Sequence, residues 1–413
     1  MEYFNTYTSG YINAINKFHN AYKVRLEPLG DNENVLGEIT KDLSVTAQGQ
    51  ININYEPIVR RSCSISMINV DKKYIPSPNN TFWFGRKFKL WIGVVDYDTG
   101  NIYWWAQGVF YTQSANSDGN VVNIEGIDKG GALNGALGMS LTDAQYIIPI
   151  GTNYYDVVRD TLMLNTYGVA SKVPSGSSKV IDPVMPIIDR KYRNIKTESK
   201  LSIDAYNNIG DLFQSLAEGY NADMYYDING HFQVCELTDG SRVDGYKYMA
   251  SQWDYDYRNA FYGLSNFEYN FDSRNVVTVY TNASDLENVS YTAYNRNPTS
   301  PLRVGIAGVR RMEGQEIKYV DVTKEQMLKK CKDYAEYLLI KESMRGMNVT
   351  FDSPIIPHLD VNRTITITDK LQELDHETFI IQSISIPLTA TTMSISATSI
   401  NWLPNQFEIE GWG

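Results

Sequence analysis

Histidine and cysteine are scarce in this chain. Its 413 residues include four histidines, His19, His231, His358 and His376, set in separate segments without HExxH or HxH spacing. A metal site needs three or four converging ligands, so no metal or cofactor is expected, and each histidine reads as a surface or hairpin residue. Three cysteines, Cys63, Cys235 and Cys331, are odd in number and lack CxxC spacing. That excludes a disulfide framework and a zinc site and suits folding in a reducing compartment. Positive charge is also in deficit: 37 Lys and Arg face 48 Asp and Glu, a formal charge of -11. A protein that reads nucleic-acid sequence wants the opposite sign against phosphate. No apolar run approaches the roughly 18 residues of a membrane span, and no basic-then-apolar leader opens the chain, so the reading is a soluble protein made in the cytoplasm. A GxSxG elbow is missing. The glycine-rich stretch 126–138, GIDKGGALNGALG, lacks both the GK[ST] ending and GxGxxG spacing, and is expected to be a flexible connection rather than a phosphate loop.

What the chain has is tyrosine, 30 residues of it, within 12% aromatics, together with many Ile, Val and Thr. That composition favours strands. From Tyr22 onward, runs of period-two or continuous β-formers are separated by Gly, Asn, Asp and Pro, as in a barrel or sandwich. Asp98-Thr99-Gly100-Asn101 and Ser117-Asp118-Gly119-Asn120 read as tight hairpin turns. Helical texture follows: Tyr154, Val158, Thr161 and Leu162 share one face, with Asn153 as cap and Gly168 as stop, and Ile209, Leu212, Phe213, Leu216 and Tyr220 share another. Asp227-Ile228-Asn229-Gly230 predicts a hairpin with a type I′ turn. The longest helix opens on Thr323 and Gln326 in capping-box spacing, with Met327, Leu328, Cys331, Tyr334, Ala335 and Leu338 as its buried stripe and Gly346 at its end.

These textures divide the chain into an arm over 1–21, a first β-barrel over 22–144, a small α+β module over 145–262, a second barrel over 263–402 with a packed helix 323–345, and a tail over 403–413. The candidate contact residues are aromatic or proline-marked. Trp83, Trp104 and Trp105 lie in strand-like surroundings, where barrel core or subunit interface is the expected role. Pro354 and Pro357 mark the approach to a strand, and Trp402, Phe407 and Trp412 end the chain. Glu236 with Asp239, beside His231, is the carboxylate pair that a glycosidase reading would need; solvated charges at a turn are the plainer reading.

The order of these parts resembles one family. The stretch FGRKFKLWIGVVDYDTGNIYWWAQGVFYTQSANSDGNVVNIEGIDKGGAL is similar to the tube-type β-barrel of tailed-phage tail proteins. The helix MLKKCKDYAEYLL, the strand MNVTF, Pro354, Pro357, Leu359 and Val361 leading to RTITITD, and then ETFIIQSISIPL and MSISATSI resemble the second barrel of the baseplate or tail hub family. YDVVRDTL and IGDLFQSLAEGYNADMYYDINGHFQV match its middle portion. The resemblance covers about residues 20–402. It implies a mainly β fold with an α+β insert, two tail-tube-like barrels flanking the module. It further implies a homotrimer in the virion tail, with six barrels per ring. Such a ring meets a tail tube or distal tail protein above and a spike, fibre or tip protein below, and genomic DNA passes through without sequence-specific binding. No enzymatic activity is implied; a tail-associated cell-wall hydrolase or a carbohydrate-binding receptor module are the alternatives. The acidic composition suggests a negative channel wall that repels phosphate.

Overall fold

The computed structural model describes residues 8–17, 21–39, 49–56, 58–136, 146–163, 181–198, 200–204, 207–220, 222–236, 253–256, 261–282, 289–317, 322–343, 346–389 and 392–400. A short helix α1 (Ser9–Ile15) comes first, its N-terminus capped by the Thr8 hydroxyl, which accepts from the Tyr11 amide at 3.2 Å. The strands β1 (Ala21–Leu29), β2 (Gln50–Asn54), β3 (Arg61–Ile68), β4 (Lys87–Val95), β5 (Ile102–Asp118) and β6 (Val121–Asp128) follow. Alternation is cleanest in β3, where Cys63, Ile65 and Met67 are buried and Ser62, Ser64 and Ser66 face the other way. A period of two puts successive side chains on opposite faces, so the sequence assigns one face to the core. Gly119, at φ +59°, turns β5 directly into β6.

The middle of the chain builds a smaller body from β7 (Tyr146–Ile148), α2 (Tyr154–Leu162), β8 (Ile187–Ile188), α3 (Arg190–Arg193), β9 (Leu201–Ile203), α4 (Ile209–Tyr220), β10 (Ala222–Tyr226) and β11 (Phe232–Glu236). Asn153 caps α2 as expected, accepting from the Tyr155 amide at 2.9 Å; Gly168 lies outside the described residues. The β10–β11 hairpin forms, but its turn is not type I′. Gly230 has φ +82° whereas Asn229 is not left-handed, and Asp227 Oδ1 accepts from the amides of Asn229 and His231. The Asp side chain closes the turn on itself, so only the glycine needs a positive φ.

The last third adds β12 (Asp254–Tyr255), β13 (Asn266–Tyr269), β14 (Val276–Tyr280), β15 (Ser290–Tyr294), α5 (Val304–Ala307), β16 (Gln315–Glu316), α6 (Lys324–Ser343), β17 (Met347–Pro354), β18 (Thr364–Asp369), β19 (Leu374–Pro387) and β20 (Thr392–Ser399). The capping box of α6 is reciprocal: Gln326 N donates to Thr323 Oγ1 at 3.2 Å and Thr323 N to Gln326 Oε1 at 2.8 Å. Its buried face, with Met327, Cys331, Ala335 and Leu339, meets Val277, Val279, Val289 and Ala293. The helix therefore packs on a separate sheet of order β15-β14-β16. Leu328, expected in the stripe, is exposed, because it lies one position past Met327 and rotates off that face.

The principal feature is one 12-stranded sheet whose main path runs β1-β4-β5-β6-β3-β2-β19-β20-β17-β13. Its first-half and second-half strands join where β2 pairs antiparallel with β19, Asn54 opposite Ser383 and Gln50 opposite Pro387. β12 and β18 lie off that path, pairing in parallel, so Asp254 and Tyr255 extend the second-half strands. Both halves share one core, in which Leu26, Phe88, Phe110 and Ile124 belong to the same cluster as Val349, Phe351, Ile384 and Ile395. Two halves with a shared core resist sliding, since close-packed interiors leave no room for it.

Candidate functional site

Around the junction of its halves, the outer face of the large sheet is built from short polar side chains. Register places Ser62, Asn52, Ser385, Ser394 and Asp352 in one transverse row across β3, β2, β19, β20 and β17. Asn54, Ser383, Ser396, Thr350 and Asn266 form the next row. The rows cross the seam between halves without a break, and a shallow depression of about 280 Å³ is centred there. Gln50 Nε2 donates to Ser385 Oγ at 2.8 Å across it, and Ser66 Oγ to Asn123 Oδ1 at 2.6 Å further along. Among the described residues, the outward positions of β2, β3, β17 and β20 carry no Lys or Arg, and Asp352 is their one charge.

Elsewhere the same sheet is tied to the middle body by buried ions. Asp128, 1% exposed at the end of β6, accepts from the amides of Arg60 and Arg61 at 2.7 and 2.8 Å and from Gly130 at 2.9 Å. Burial nevertheless pushes its carboxyl up to about 6. Arg60 pairs with buried Asp223 of β10 and stacks on Tyr225, 3.7 Å from the ring centre. Asp223 also accepts from Asn362 Nδ2 at 2.8 Å, and Arg61 reaches Asp360 at 2.6 Å and the Tyr226 carbonyl at 2.8 Å. A second cluster centres on Lys129, 1% exposed, at 2.6 Å from Glu33, 2.7 Å from Asp182 and 2.8 Å from the Gly230 carbonyl. Burial raises Asp182. It works the same way on Glu33, where Lys129 and Lys87 overcome it and hold the carboxyl low. Over its described residues, 126–136, the glycine-rich stretch is accordingly no flexible connection: residues 129–132 form a buried 3-10 turn. A Cβ on Gly130 would sit 2.1 Å from the Ile58 carbonyl oxygen.

The Asp128 carboxyl gives a pH test. A folded value raised to about 6 from 3.8 means the native state holds the extra proton between those values. Its contribution to stability therefore grows as pH falls from about 6 towards 4. Against the non-titrating Asp128→Asn variant, the wild type should gain on the order of 2–3 kcal/mol over that window. Urea unfolding of both proteins at pH 4 and pH 7 reads the difference; an equal gap at both pH values counts against it.

The contact residues singled out in the sequence are scattered. Trp83 is 39% exposed beside exposed Phe84. Trp104 lies under the Arg25 guanidinium at 4.6 Å. Trp105 is buried and stacks on Tyr11 at 5.4 Å, and Pro357 is buried, its carbonyl accepting from Gln107 Nε2 at 3.0 Å. Pro354 is half-buried at the end of β17. Trp402, Phe407, Trp412, Asp239 and His19 lie outside the described residues. His231 sits at the β10–β11 turn and His376 is exposed, as read. His358 is not a surface residue: it is 4% exposed, with Nδ1 2.9 Å from the Tyr11 hydroxyl and with Trp105 and Trp253 around it. The bond carries α1 onto the second half of the chain, and the PIIPHL run, apolar on both sides of the histidine, was the available signal. Among the described residues no group of three His, Cys, Asp or Glu could hold a metal ion, and no helix is long and apolar enough to cross a membrane.

No protein-family model matches the sequence, and no curated protein matches it. Solved structures do. A tail protein from Neisseria meningitidis superposes with a TM-score of 0.57 at 12% identity, covering 92% of this chain and 97% of that one. The 43 kDa tail protein of prophage MuSo2 from Shewanella oneidensis gives 0.56 at 12% identity, covering 93% and 100%. A chain of the Francisella PdpA–VgrG complex gives 0.51 at 9% identity, with 96% of this chain spanning 60% of that one. At such identities the likeness is one of fold. Over more than nine-tenths of its length, the chain is folded as these tail proteins are.

Proposed function

We propose that the chain is a structural hub of a phage tail tip or baseplate. Three copies close a pseudo-sixfold ring that joins a hexameric tail tube to a threefold spike or fibre complex and lines the channel for DNA. The observation that carries this reading is the β2–β19 pairing. It makes the two halves one sheet, so each copy offers two barrel-like units in fixed register. Three such copies match a sixfold partner on one side and a threefold partner on the other. In the ring, the serine and asparagine rows of the sheet face the channel, and Trp83 with Phe84 are exposed anchors for a neighbour. The reading places the protein in the virion tail, with a structural rather than an enzymatic role.

Light scattering of the purified chain, alone and with its neighbouring tail-tip proteins, tests the stoichiometry. The expected mass of the hub is three times 46.9 kDa. A chain that stays at one copy in both conditions removes the ring.

A further inference from the structure

The overall charge of -11 points to a channel wall that repels DNA, but on the face the ring would turn inward the carboxylates stand at the borders, Glu125 opposite Ser64 on one side and Asp352 and Glu268 on the other, and not on the strands of the seam itself. The rows across β3, β2, β19 and β20 are serine and asparagine, and the first charge met beyond β20 is Asp352. The cations of the same sheet lie away from the seam's outer face: Arg25 lies over Trp91 and Trp104, Lys87 pairs with Glu33, Lys89 donates to Asn229 of the middle body, Arg61 of β3 is buried, and Lys23 is exposed on β1 at the far end of the strand order. None stands on the outward positions of the seam strands.

Two physical consequences follow for a polyanion. Without Lys or Arg, no phosphate is neutralised and no condensed counterions are released, so the main source of DNA affinity is missing. Without a field of carboxylates, there is little electrostatic repulsion to raise the free energy of entry either. Short hydroxyl and amide side chains hydrogen-bond to one another and to water and have no long stem that could follow a moving strand.

We infer that the serine and asparagine face spanning the β2–β19 seam is an electrically neutral, hydrated wall along which double-stranded DNA slides without being held or pushed. This rests on the ring proposed above, and it assigns the inner surface and its chemistry to particular residues. Ser62 is exposed and Ser396 half-buried; both line the depression at the seam.

The experiment adds the missing charge. Full-length wild type and the Ser62→Lys/Ser396→Lys double variant are first checked for mass, so a failure of the trimer, which would overturn the ring itself, is seen separately. Each trimer is then mixed with linear double-stranded DNA and with the same DNA as a closed circle. A preformed ring can be threaded by a linear end but not by a circle. The expected result is that wild type retains neither form. The variant, with six added lysines per trimer, retains linear DNA only, and loses roughly 10³-fold in affinity between about 50 and 200 mM salt. Equal retention of both forms by the variant would place the face outside the ring. Retention of neither by the variant would mean that DNA does not reach the face. Wild type that holds linear DNA at low salt and releases it at high salt would show the wall to be adhesive. Each of these three results overturns the inference while leaving a trimer standing. A Ser385→Lys variant, on the adjoining strand, repeats the test if the double variant does not fold.

Discussion

Asp223→Ala should destabilise the protein by about 3–5 kcal/mol, because it strands a buried guanidinium. Arg60 is 2% exposed, and burial alone would work against its charge; Asp223 and the phenols of Tyr225 and Tyr55 more than offset this and keep its pKa above the ordinary arginine value. Removing the carboxylate leaves Arg60 charged in an apolar setting and takes away the acceptor for Asn362 Nδ2. The loss should appear as a lower urea midpoint at neutral pH. A control separates an uncompensated charge from lost packing: replacing Arg60 and Asp223 together by Met and Leu should recover much of the loss, since paired apolar groups of similar volume are tolerated where a lone ion is not. A double variant as unstable as Asp223→Ala would sink the explanation.

Lys129→Met carries an effect of similar size by the opposite route, leaving buried Asp182 without its cation and Glu33 with Lys87 alone. Glu33 and Asp182 both lean on this one ammonium, and the Asp182 side chain has no solvent exposure. The expected cost at pH 7 is again about 3–5 kcal/mol. It should shrink towards pH 5, because burial already raises Asp182 and a carboxyl without its cation takes up a proton more readily. Glu33 adds nothing between pH 7 and pH 5, because its loss comes only below the ordinary value of 4.5. Its folded pKa is depressed, so the stability it supplies to the wild type is present above the unfolded value and is lost as pH falls through the folded one. Unfolding of wild type and variant at pH 7 and pH 5 therefore converges on acidification. Curves that stay parallel would argue that the methionine stem, not the charge, decides the outcome.

Much of the local structure was legible in the residues. The capping box of Thr323 and Gln326, the Asn153 cap and the alternation of β3 all describe neighbours within a turn or a strand, and the chain obeys them. What the sequence hid is long-range. Nothing near Gln50 announces that its strand pairs with residues 383–387, and the same apolar alternation would serve any partner. The separate sheet under α6 was hidden for that reason: Val277 and Val279 read as ordinary strand residues, and only the partner strand decides which body they join. The polar face was visible as alternating serines in SCSIS and SISIP, but what unites them is a register that crosses the whole chain. His358 escaped because a histidine in an apolar run needs a distant hydroxyl to satisfy it, and that hydroxyl belongs to Tyr11.

The seam between β2 and β19 also sets a timetable. β2 is made early, but the strand that covers its free edge follows about 330 residues later. At a synthesis rate of roughly 5–20 residues per second, that edge waits for about 15–65 s with its amides and carbonyls exposed. An uncovered edge is a template for pairing with any passing strand, including the same segment of another nascent chain. Interleaving Gln50, Asn52 and Asn54 with Ile51 and Ile53 makes the waiting strand less adhesive than a wholly apolar one. The polar residues of the finished seam thus also guard the chain while it is still being made.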